Sequence, residues 1–138
     1  MTVTPGGKMN ADDPLYQAAL VAREKALALY SEFQVGAALQ CEDGTMFTGC
    51  NIESSSYGLT ICAERTALFK ALSEGKRKFT RMTIVADTEE LAAPCGACRQ
   101  VLWDFAPHLQ ITVANLEGKR MSFSLRELLP HPFGNHLF

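Results

Sequence analysis

The 138-residue chain has no run of about eighteen apolar residues, no surplus of basic charge and no apolar leader. The first absence excludes a membrane-spanning helix. The second, a formal net charge of −2, argues against a protein that grips nucleic acid by neutralising phosphates. The third concerns the opening MTVTPGGKMNADD, which does not read as a secretory leader. Residues 1–12 are expected to be a flexible tail, rich in Pro, Gly and polar side chains. Repeats, low-complexity tracts and interdomain linkers are absent too, so residues 13–138 are read as one domain. With 47% apolar residues that domain can bury a hydrophobic core.

What the chain does have is five cysteines without signs of export, which favours metal or catalysis over disulfides and places the protein in the cytoplasm. Cys41 and Cys50 fall on a predicted hairpin. A two-residue turn at Asp43-Gly44 would pair Cys41 with Met46 and set Cys50 opposite Ala37, leaving two separate free thiols. Cys62, Cys95 and Cys98 fall elsewhere, in TICAERTALF and APCGACRQVL.

The element order follows from local signals. Asp13-Pro14 is a helix start, and LYQAALVAREKALALY continues it with apolar residues at helical spacing through Leu29. FQVGAALQ and TMFTGCNI read as antiparallel strands joined by CEDG. The loop SSSYGLT leads to a helix over 62–74 that Gly75 caps. RMTIVAD is a strand, and the next helix carries Cys95 and Cys98 and must stop at Pro107. QITVANL and KRMSFSL are strands about a turn at Glu117-Gly118, and LRELLP is a short last helix. Lys76-Arg77-Lys78 reads as a solvated turn. The sum is an α/β fold: a layered α/β/α sandwich around a mixed sheet of about five strands.

Cys95 and Cys98, three apart at a helix start, share a face. Helix N-termini favour thiolate, and Cys62 opens a helix of its own. Three thiolates from two helix starts suit one Zn²⁺, with the fourth position left for water. A structural zinc would need a fourth protein ligand. Cys41, Cys50, His108, His131 and His136 lack the pairing spacing for it. Glu64, two residues after Cys62 in the first turn, stands where a carboxylate can exchange a proton with that water. Arg65 can hydrogen-bond ligand sulfurs and offset the −1 charge of a zinc tris-thiolate. Arg99, directly after Cys98, either does likewise or holds a plain salt bridge or surface position. Trp103 lies on the apolar side of its helix.

CAERTALFKA and PCGACRQVL, with YSEFQVGAAL, GCNIESSSYG and ELLPHPF, resemble the small homotetrameric zinc-dependent cytidine deaminases. The resemblance covers most of the chain, from about Tyr16 to Phe133. It implies one zinc per subunit on Cys62, Cys95 and Cys98, with Glu64 as the proton shuttle. It implies that Asn51 and Glu53 hydrogen-bond the sugar hydroxyls, and that Phe33 packs on the pyrimidine. It sets Tyr57 near the sugar and the subunit interface, and has a neighbouring subunit supply Phe133. Backbone groups at Ala63 and near Cys95 would hold the amide and amino functions of the base. Ser54 stands where the family often has Asn.

The implied activity is hydrolytic deamination of cytidine and 2′-deoxycytidine, with release of ammonia, in pyrimidine salvage. The partners are then a small nucleoside and three further copies, with neither nucleic acid nor membrane. Two rivals stand beside it: a deaminase of another nucleoside, such as a blasticidin-type antibiotic, and a non-catalytic structural-zinc module.

Overall fold

The computed structural model describes residues 4–134. Strands β1 (Thr4–Lys8), β2 (Val35–Cys41), β3 (Met46–Cys50), β4 (Phe79–Ala86), β5 (Gln110–Ala114) and β6 (Lys119–Ser124) form one sheet, in the order β1-β6-β5-β4-β2-β3. β4 and β5 run parallel and every other neighbouring pair is antiparallel, so the sheet is mixed. Helices α1 (Pro14–Arg23), α2 (Ala63–Ser73), α3 (Gly96–Phe105) and α4 (Leu125–Leu128) complete the fold. Among the described residues no helix is long and apolar enough to cross a membrane.

Alternation along the strands builds two cores. Ala38, Val85 and Ala114 face α1, meeting Leu15, Tyr16 and Ala19. Ala37, Leu39, Met82, Ile84, Ile111 and Val113 point the other way, onto Ala63, Ala67 and Leu68 of α2 and Leu102 and Trp103 of α3. The result is the expected three-layer sandwich, with Trp103 in the core. Gly75 caps α2 as expected: at φ 90° it lets its own N–H reach Leu72 O while Lys76 N–H reaches Ala71 O.

Three details depart from the sequence reading, and one alternative that it left open is decided. Among the described residues the sheet has six strands, the sixth being β1 in the expected tail, where Gly7 and Lys8 pair with Arg120 and Lys119. The first helix stops at Arg23 and does not run on to Tyr30. Beyond it Leu27 N–H donates to Asn51 O, and Glu53 N–H to Leu27 O, so backbone pairing takes over from the helix. The hairpin pairs Gln40 with Met46 and Gly36 with Cys50, one residue off the expected register. Its loop has three residues, Glu42–Gly44, because Gly44 (φ 90°) closes it with a left-handed turn. Cys41 and Cys50 are free thiols and not cross-strand partners. Finally, Arg99 donates to Pro94 O and Leu128 O, tying the start of α3 to the end of α4 and not to the sulfurs.

Candidate active site

Two helix starts meet at one end of the sheet. Cys62 is the N-cap of α2 and Cys95 the N-cap of α3, both with extended backbone, while Cys98 lies in the first turn of α3. The three Sγ atoms lie within 4.8 Å of one another, and Cys62 and Cys95 are 3.7 Å apart. Tetrahedral zinc with bonds of about 2.3 Å sets its sulfurs about 3.8 Å apart, so the donor set fits that ion. Among the described residues no fourth Cys, His, Asp or Glu joins the group; His136 lies outside them.

The electrostatics point the same way. The Cys62 thiol is pushed down to about 5, first by a hydrogen bond from Cys98 and then by Arg65 and Cys95. The Cys98 thiol is pushed far up, because it surrenders that hydrogen bond and is itself buried beside Glu64. Three sulfurs at this spacing resist carrying three charges without a cation among them. Arg65 Nη2 donates to Cys62 Sγ at 3.4 Å, the contact expected of a side chain that offsets thiolate charge.

Glu64, in the first turn of α2, is 5% exposed. Burial raises its carboxyl to about 7, with the Cys62 charge adding to the rise. A carboxyl near 7 accepts and releases protons readily at neutral pH.

A cavity of about 220 Å³ opens onto this centre. Cys62, Ala63, Glu64 and Cys95 line it together with Phe33 and Asn51. Asn51 spans the backbone of the segment opposite: its Oδ1 accepts from Val35 N–H at 2.9 Å and its Nδ2 donates to Phe33 O at 2.8 Å. A second cavity of about 390 Å³ shares Thr60 with the first and is lined by Tyr30, Ser31, Glu53 and Tyr57. The Glu53 carboxylate accepts from the N–H groups of Tyr30 and Ser31 and from the Ser31 hydroxyl, which holds it below the usual carboxylate range. Asn51 and Glu53 therefore both reach the 30–35 segment, while Ile52 between them stays exposed.

Tyr57 is exposed, edge-on to Tyr30 with ring centroids 5.8 Å apart. Phe133 is 83% exposed and lines neither cavity of its own chain. Its backbone N–H donates to Gln100 Oε1 and its carbonyl accepts from Gln100 Nε2.

The sequence reading missed Ser31 and Tyr30 as holders of Glu53, and Ala92 and Ala93 as cavity wall. The signal for the last two was the run of small residues just before Pro94.

The family model described as the cytidine and deoxycytidylate deaminase zinc-binding region matches residues 9–113. A cytidine deaminase of Halalkalibacterium halodurans is 51% identical over 120 residues, 86% of this chain and 91% of that one. A crystal structure of cytidine deaminase from Burkholderia pseudomallei superimposes with a TM-score of 0.86 at 48% identity, covering 90% of this chain and all of that one. A blasticidin-S deaminase of Bacillus cereus is more distant, at 30% identity over 80% of this chain and 85% of its own.

Proposed function

This chain belongs to the zinc-binding cytidine and deoxycytidylate deaminase family, and on that premise we infer that it hydrolyses cytidine and 2′-deoxycytidine to the uridine products and ammonia. The observation that carries this reading is a sulfur triad, two of whose members line a cavity together with the buried Glu64. Zinc, when bound, supplies the acidification that lets water attack an aromatic carbon near neutral pH.

The chain's own residues do the rest. Glu64 takes a proton from the attacking water and delivers it to ring N3 as oxygen adds to C4. It then carries the proton of the new C4 hydroxyl to the departing amine as the C4–N bond breaks and the carbonyl forms, so that one water is consumed and one ammonia leaves. Arg65 holds Cys62 and balances the sulfur charge. The first-turn N–H groups of α2, at Ala63, have no partner within the helix and face the base. Phe33 stacks on it, and Asn51 and Glu53 receive the sugar hydroxyls.

Among the described residues neither cavity is lined by a lysine, arginine or histidine, and Glu53 stands ionised in the outer one. A nucleoside fits such walls and a phosphate does not. Like charges about 4 Å apart repel by about 1–4 kcal/mol between bulk water and a protein surface. Incubation with zinc should release ammonia from cytidine at least about tenfold faster than from cytidine 5′-phosphate. Faster release from the phosphate would reverse the substrate assignment, and release mainly from blasticidin S would favour the antibiotic reading. No ammonia from any of them, with zinc bound, would leave the structural-zinc module.

We assign the working form as a homotetramer in the cytoplasm, where thiols stay reduced. Leu27, Leu29, Tyr30, Tyr57 and Leu59 are all half-exposed or more, Tyr30 and Tyr57 in the wall of the outer cavity, and suit burial against another copy. Phe133, held at its backbone with its ring free, suits donation to a neighbour's site. Sedimentation should therefore give a tetramer, and Phe133→Ala should raise KM more than it lowers kcat. A stable monomer with full activity would remove the cross-subunit role.

A further inference from the structure

We propose that Gly49 is a positioning residue for the metal centre: its bare Cα lets β3 lie against the first turn of α2, and so sets where Cys62 and Glu64 stand. The inference rests on the deaminase reading for its consequence in turnover, but its geometry concerns the sulfur site alone.

Gly49 pairs with Ala37 in the β2–β3 hairpin, and so faces the α2 side of the sheet. A Cβ there would lie 2.4 Å from Ala63 O, 2.5 Å from Ala67 N and 2.9 Å from Thr66 Cβ. The first two atoms are the acceptor and donor of one α-helical i→i+4 step. Neither can swing aside, because both are backbone. Carbon–oxygen contacts of about 3.3 Å are the ordinary lower range, so the turn would retreat by about 1 Å.

That retreat would carry along the residues on either side of Ala63, which are Cys62 and Glu64. Cys95 and Cys98 belong to α3 and would stay. One methyl group would thus part the two halves of a triad whose closest sulfurs are 3.7 Å apart. It would also shift Glu64 against everything the cavity holds.

The same hairpin supplies a matched comparison. Gly36 pairs with Cys50, and a Cβ at Gly36 would lie 2.1 Å from Ala19 O and 2.5 Å from Arg23 N. That contact is at least as severe, but it falls on α1, across the sheet, which carries no sulfur and no part of the cavity wall. Gly36→Ala should therefore destabilise the fold without parting the triad.

The test uses Co²⁺ as a coloured stand-in for zinc on the full chain, with Gly49→Ala and Gly36→Ala compared for melting temperature, Co²⁺ affinity, the cobalt–thiolate absorption and turnover. Gly49→Ala should bind Co²⁺ about 10–100-fold more weakly with an altered absorption. Its turnover of cytidine when saturated with zinc should fall about 10²-fold. Gly36→Ala should melt lower yet keep the wild-type absorption and affinity. Wild-type affinity and absorption in Gly49→Ala would overturn the proposal, as would an equal loss in Gly36→Ala.

Should Gly49→Ala not fold, amide exchange of the unsubstituted, metal-stripped chain decides. The Thr66 and Ala67 amides should then be as protected as those of Ala38 and Leu39. Rapid exchange at the helix start beside a protected sheet would show that β3 does not hold it. An unsubstituted protein that binds Co²⁺ but leaves cytidine intact would defeat the substrate reading, while the comparison of the two glycines, read on the metal, would stand.

Discussion

Glu64→Gln should lower the turnover of cytidine by about 10²–10⁴-fold while the chain keeps its zinc. Glutamine matches glutamate in shape and still hydrogen-bonds, but it cannot take a proton from water and return it to the ring. Glu64 is not among the three donors, so its loss leaves the sulfur set whole. The substitution also replaces a carboxyl whose burial is costly, so the variant should melt no lower than the parent. Metal content and melting temperature thus separate a lost proton shuttle from a damaged site. Undiminished turnover at full zinc content would end the role given to Glu64. Lost turnover together with lost zinc would instead make Glu64 part of the metal's hold.

Much of this arrangement was legible because the governing interactions are local. Asp13-Pro14 starts a helix by its own chemistry, and the Asp13 carboxylate accepts from Leu15 N–H as an N-cap should. Cys62 and Cys95 each precede a helical run, so their placement at helix starts needs no tertiary information. What escaped was decided by distant partners. The 24–30 stretch has helical spacing, yet Leu27 pairs with Asn51 and Glu53 and the helix is given up. Thr-Pro-Gly-Gly-Lys carries no strand pattern and becomes β1 because the edge of β6 is there to pair with. Arg99 sits beside a cysteine in sequence, but the carbonyl of Leu128, 29 residues on, lies within its reach. Glu53 was singled out through a resemblance; that Ser31 and Tyr30 hold its carboxylate is a contact made only once the chain has folded.

Removal of the metal should have the other large effect: no turnover after chelation, and full return with one zinc per chain. The argument begins from the sulfurs, not from the reaction. Cys98 is fully buried, Cys62 half-buried and Cys95 exposed, so the site is open on the Cys95 side, toward the cavity that also holds Ala63 and Glu64. An ion on three thiolates carries net −1, and the Arg65 guanidinium at Cys62 brings that sum back toward neutrality. Binding to the folded chain alone also stabilises it, by about 4 kcal/mol at a thousandfold excess over Kd, which for a domain this size is on the order of 10 °C in Tm. Chelated protein should melt lower by that amount. Cys98→Ala separates the metal from any side effect of the chelator: a small, buried replacement leaves the packing of α3 nearly intact but removes one of three ligands. It should therefore fold, bind zinc orders of magnitude more weakly, and stay inactive when zinc is returned. Turnover surviving in stripped protein, or restored by zinc in Cys98→Ala, would show that the sulfur triad is not where the chemistry is driven.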